Sequence, residues 1–198
     1  AFRAWTNDFS AQRNFALEQT DADWVLYLDA DERLNENVIA EVKRIVASGV
    51  MDAQYAFTRK SGAFGKIFSY GVLYPDQVCR LFPRKAVVWV NKVHEHPECK
   101  LPEKHLSGYV THYTYKDWYE WEGKLCLYTT IWAEDAYKKG KRTTMAGIFQ
   151  HSVGAFFKMF VLRRGFLDGG LGIYLCFAHG FYTMLKYLKL YDLQNKRK

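Results

Sequence analysis

Cysteine is sparse and scattered in this 198-residue chain: Cys79, Cys99, Cys126 and Cys176 form no C-x-x-C pair. That excludes a zinc knuckle, a dithiol redox motif and a dense disulfide framework, and reduced thiols in a cytosolic setting are the expectation. The N-terminus lacks a basic-then-apolar pattern, so no signal peptide is expected. There are no internal repeats and no low-complexity tracts. No uncharged run reaches the length of a comfortable membrane span. The uncharged stretch 169–185 holds 17 residues, among them His179 and several glycines, where a comfortable membrane span needs about 20 apolar residues. An interfacial or oligomer-forming helix is expected there, with a spanning helix as the alternative. Acid is scarce in the last quarter: residues 151–198 hold eight Lys or Arg against Asp168 and Asp192, a charge of +6 out of the chain's +7.

What is present is a globular composition, 49% hydrophobic and 25% charged. Aromatic residues reach 17%, which leaves open sugar stacking, membrane-interface anchoring and a core rich in rings. The basic, aromatic C-terminal segment suits an anionic membrane surface. Nucleic acid is the rival partner, ranked below the membrane because the basic residues accompany long apolar stretches, so no nucleic acid is expected.

Periodicity gives an α/β order. Residues 8–20 read as a helix capped by Asp8 or Ser10, with Phe15, Ala16 and Leu17 facing inward. The run 24–28 reads as a strand buried on both faces of a parallel sheet. A helix over 35–48 follows, with Val38, Ile39, Val42, Ile45 and Val46 on one stripe and Gly49 ending it. Short strands are expected at 55–59, 66–70, 78–82, 87–93 and 106–115. Helices follow over 117–140, where Asp117 and Glu120 have capping-box spacing, and over 145–162 and 171–191.

Asp29 and Asp31 carry the sharpest chemical signal. Two carboxylates one residue apart, just after a buried strand, sit where open α/β sheets bind ligands. Such a pair can hold Mg²⁺ or Mn²⁺ against a diphosphate, or can simply cap the next helix. Glu32 is either a third acid or a helix-start residue. His94, Glu95 and His96 lack the helical spacing of a zinc protease motif.

The stretches FSAQRNFAL at 9–17 and WVLYLDADERL at 24–34 resemble family 2 glycosyltransferases of the GT-A fold. Within them the chain looks most like the bacterial enzymes that add a sugar to the lipopolysaccharide inner core. CRLF at 79–82, VHE at 93–95 and RGFLDG at 164–169 fit as well, so the resemblance covers nearly the whole chain. It implies that Arg13 and Asn14 lie near the nucleotide, Asp29 near the ribose, and Asp31 on the metal. His112 is then a third metal ligand or a diphosphate contact, with a structural role as the alternative, and Arg80 is a contact to the sugar or diphosphate, or else an ordinary surface residue. The family's downstream E-D pair, which supplies the catalytic base, is missing; Glu95 is the candidate in its place, tuned by His94 and His96, or it pairs with Lys92 or a histidine.

The resemblance departs at the beginning, where no strand and helix for a uracil pocket precede Phe9, so the chain is expected to open inside a domain. The expected organisation is a partial GT-A domain over 1–115 and a helical, basic, membrane-proximal region over 116–198. The expected function is inverting, metal-dependent transfer of a hexose from a nucleotide diphosphate sugar, with UDP-sugar as donor, to a lipid-linked saccharide of the lipopolysaccharide core or a related envelope glycan. The expected location is the cytoplasmic face of the inner membrane, peripherally, with oligomerisation through the C-terminal helices open. The alternative is a non-catalytic, membrane-associated binding protein or an inactive fragment.

Overall fold

In the computed structural model, residues 2–4, 6, 8–91 and 95–195 are described. They form two compact units, residues 1–59 with 76–112 and residues 60–75 with 113–198. The chain order is α1 (Phe9–Glu18), β1 (Trp24–Leu26), β2 (Glu32–Leu34), α2 (Glu36–Ser48), β3 (Gln54–Ala63), β4 (Lys66–Ile67), β5 (Asp76–Pro83), β6 (Val87–Val90), β7 (His96–Cys99), β8 (Glu103–Tyr115), α3 (Trp118–Lys138), α4 (Met145–Phe157) and α5 (Gly169–Asn195).

The first unit is a mixed α/β body whose sheet runs β1-β5-β3-β8-β2, with β6 and β7 as a separate pair. Its core is Trp24, Val38, Phe57, Leu81 and Val110, each contributing about 1.5–3 kcal/mol on full burial. Asn35 caps α2 by accepting the Val38 N–H at 3.0 Å, and Gly49 ends it in the left-handed conformation at φ 68°. The bare Cα of Gly108 lets α2 sit directly on β8: a Cβ there would meet Val38 Cγ2 at 2.4 Å.

Several expectations need correction. β1 pairs antiparallel with β5, as does β3, and β2 pairs antiparallel with β8, so the sheet around 24–28 is not parallel. Among the described residues β1 lies at the sheet edge, and of its three residues only Trp24 is buried; an apolar run of this length does not by itself distinguish an edge strand from a central one. On α2, Ile39 and Val46 are exposed and only Val38, Val42 and Ile45 turn to the core. On α1 the buried residue is Ser10, and Ala16 is exposed. The strand expected over 66–70 shortens to Lys66–Ile67.

In the second unit α4 starts at its Thr144 cap and continues without a break into a π-helical turn, Lys158–Leu162. The reversal into α5 is fixed by close approach. A Cβ on Gly165 would meet Cys176 Sγ at 2.4 Å, and one on Gly172 would meet Gly165 O at 2.2 Å. Asp168, buried in the same turn, accepts the N–H groups of Ser69 at 3.1 Å and Tyr70 at 2.7 Å, while Lys66 donates to its carbonyl. Among the described residues, the segment long and apolar enough to cross a membrane by length and composition is Met145–Leu162, with mean hydropathy 1.3, and not 169–185.

Candidate active site

The acidic loop is built by its own backbone. After β1 the chain turns at 30–31; the Glu32 N–H closes the turn onto Asp29 O at 2.9 Å, and the Glu32 carboxylate accepts the Asp29 N–H at 3.1 Å. Glu32 therefore belongs to β2, where strand alternation sends it inward with no exposed surface, and not to a helix start. Arg80, on β5, reaches both acids: its Nη2 lies 2.8 Å from Glu32 Oε1 and 2.6 Å from Asp29 Oδ2.

The same alternation of charge continues on both sides. Arg13, from α1, donates to Asp29 Oδ1 at 2.9 Å and lies 3.8 Å from Glu95 Oε1. Arg59, from β3, lies 3.7 Å from Glu32 and grips Asp76 through two bonds of 3.0 and 2.7 Å. Burial pushes the Asp29 carboxyl up, but Arg80 and Arg13 outweigh it and hold it below its ordinary value. The Arg13 guanidinium also covers the Trp89 ring at 4.4 Å, a cation–π contact. The Nε–H groups of Arg13 and Arg80 are buried without a partner among the described residues.

Asp31 stands on the open side of this loop. Antiparallel pairing puts Glu32 opposite His112 on β8, and so brings His112 Nε2 to 3.2 Å from Asp31 Oδ2. One carboxylate oxygen and one imidazole nitrogen fit a divalent cation only in part. Among the described residues no group of three or more His, Cys, Asp or Glu side chains comes together for a metal. Mg²⁺ is commonly bound through one or two carboxylates, with phosphate oxygens and waters completing the shell, and a site of that kind needs no third side chain.

The comparisons with known proteins bear on this arrangement. No protein-family model matches the chain. It is 25% identical over 204 residues to an uncharacterized glycosyltransferase of Rickettsia prowazekii (strain Madrid E), covering 95% of this chain and 68% of that protein. A Rickettsia typhi (strain ATCC VR-144 / Wilmington) protein of the same name is 24% identical over 208 residues, at 95% and 68% coverage. One from Rickettsia bellii (strain RML369-C) is 26% identical over 202 residues, at 93% and 67%. These matches support a glycosyltransferase role.

Of the residues singled out in the sequence, Arg13, Asp29, Arg80 and Glu95 fall into one charge network, and Asp31 and His112 into an adjoining pair. Asn14 is committed elsewhere: its amide donates to Trp89 O at 2.8 Å and accepts from Trp89 N at 2.9 Å, latching α1 to β6. Lys92 and His94 lie outside the described residues, and the His96 ring meets the Asn91 amide at 3.3 Å. Sequence reasoning missed the inward turn of Glu32 and the roles of Arg59 and Asp76. The available signal was Arg80 inside the apolar run 78–82, which demands a carboxylate partner once buried.

Proposed function

We propose that the chain carries the donor site and base of an inverting glycosyltransferase that moves a hexose from a nucleotide diphosphate sugar, with UDP-sugar as donor, to a lipid-linked saccharide of the lipopolysaccharide core or a related envelope glycan. The observation that carries this reading is the meeting of Asp31 with His112 at 3.2 Å, beside an Asp29 already locked by two arginines. A carboxylate held in place by Arg13 and Arg80 suits a ribose hydroxyl, which donates to it. Both guanidiniums bring positive charge to the side of the loop where a diphosphate is to be neutralised.

Asp31 and His112 are the residues that would hold Mg²⁺ or Mn²⁺. Bound there, the cation would neutralise charge on the departing nucleoside diphosphate. Glu95 is the proposed base. As the acceptor oxygen forms its bond to the anomeric carbon and the diphosphate leaves with the electrons of the broken bond, a carboxylate takes the hydroxyl proton. The Arg13 guanidinium, 3.8 Å away, holds the Glu95 carboxylate near the loop. The reaction is placed at the cytoplasmic face of the inner membrane, with the protein peripheral.

The test is release of nucleoside diphosphate from UDP-sugars by the full-length protein, with and without Mn²⁺ and a core-saccharide acceptor. Metal-dependent release lost in Asp31→Ala, and lowered at least about 100-fold in Glu95→Gln, is expected for a general base. Release unaffected by either substitution would overturn the reading.

A further inference from the structure

We infer that the second unit docks flat on an anionic lipid bilayer through one apolar face shared by α4, its π-helical extension and α5, with Arg163 and Arg164 at the headgroups. This rests on the membrane location proposed above, but not on the transfer chemistry.

Met145, Phe149, Val153, Phe157 and Val161 recur every fourth residue and so lie along one side of a helix. Four of these five are exposed, Phe149 at 71% and Met145 at 59%, and only 6% of Met145–Leu162 is buried. On α5, Tyr174, Phe177 and Phe181 fall on one side at helical spacing and are exposed as well. The two faces join through rings: Phe156 lies 4.6 Å from Phe177 and 5.3 Å from Phe157. Monomeric soluble proteins rarely leave so continuous an apolar surface in water.

Charge selects the occupant. Lys158, Arg163 and Arg164 are exposed at the end of this face. The one acid between 145 and 181 is Asp168, buried and engaged by the Ser69 and Tyr70 N–H groups. A rim of one sign is complementary to anionic headgroups, each basic residue adding attraction near the surface.

The same residues decide the mode of contact. Met145–Leu162 has 18 residues with Lys158 among them, and the reversal into α5 carries two adjacent arginines. Sending that reversal into hydrocarbon would bury two charges. Lying flat leaves them among phosphates with the phenylalanines below.

The experiment is co-sedimentation of the purified chain with vesicles of phosphatidylcholine alone, or with about one-third phosphatidylglycerol, at low and high salt. Preferential binding to the anionic vesicles, weakened by salt, is expected. The double variant Arg163→Gln, Arg164→Gln should lower that partition roughly ten- to thirtyfold, and Phe149→Gln with Phe157→Gln should lower it for both compositions. All four positions are exposed, and a circular-dichroism melt checks that the fold is kept. Equal binding to both vesicle types, or no effect of the arginine pair, would overturn the inference. So would light scattering showing a stable dimer that the phenylalanine pair breaks. UDP titration of the same variants should be unchanged, so that a failure here is told apart from a failure of the glycosyltransferase reading.

Discussion

Arg80 donates to Glu32 at 2.8 Å, and Glu32 has no exposed surface at all. A buried ion pair adds little net stability over an apolar pair, but removing Glu32 leaves Arg80 with Asp29 alone and the charge network short of its buried carboxylate. Glu32→Ala should therefore cost about 3–5 kcal/mol in urea denaturation, and Glu32→Gln, which keeps a hydrogen-bond acceptor for Arg80, should cost less.

The reversal into α5 yields a contrast between two glycines. A Cβ on Gly172 has no room, with Asp168 Cβ at 2.7 Å besides the Gly165 carbonyl, whereas one on Gly154 meets nothing within 4 Å. Gly172→Ala should lower stability by about 1–3 kcal/mol through overpacking. Gly154→Ala, in the middle of α4, should raise it by about 0.5–1 kcal/mol. Thermal melts of the two variants check the opposite signs.

Acid should weaken the first unit in part through Asp29. Its folded pKa lies below the ordinary 3.8, so its contribution is present above that value and is lost as the pH falls through the lowered folded value. Denaturant midpoints of wild type and Asp29→Asn, compared from neutral pH downwards, should converge at the acid end.

Burial pushes the Cys79 thiol up to about 12 and raises Cys176 as well. Cys126 is exposed on α3. A thiol reagent at neutral pH should label Cys126 readily, and label Cys79 and Cys176 only on unfolding.

The helices were legible because their caps are local. Asp8, Asn35, Asp117 and Thr144 each accept an N–H three residues on, and Gly49 marks its own turn. Strand direction was not legible: the run at 24–28 suits a parallel or an antiparallel neighbour equally, and the choice of β5 is made by residues far along the chain, Leu81 to Pro83. The acids of the loop were visible as a motif. Which of them faces inward depends on the register of β2 against β8, which places Glu32 in the core and Asp31 outside it.

The measurement closest to the central claim is calorimetric titration of this chain with UDP, with and without Mn²⁺, for wild type, Asp31→Ala and His112→Ala. Binding that strengthens with Mn²⁺ in wild type, and loses that dependence in both variants, is expected of a cation held between Asp31 and His112. UDP affinity that is the same with and without metal, and unchanged by Asp31→Ala, would contradict a donor site at this loop.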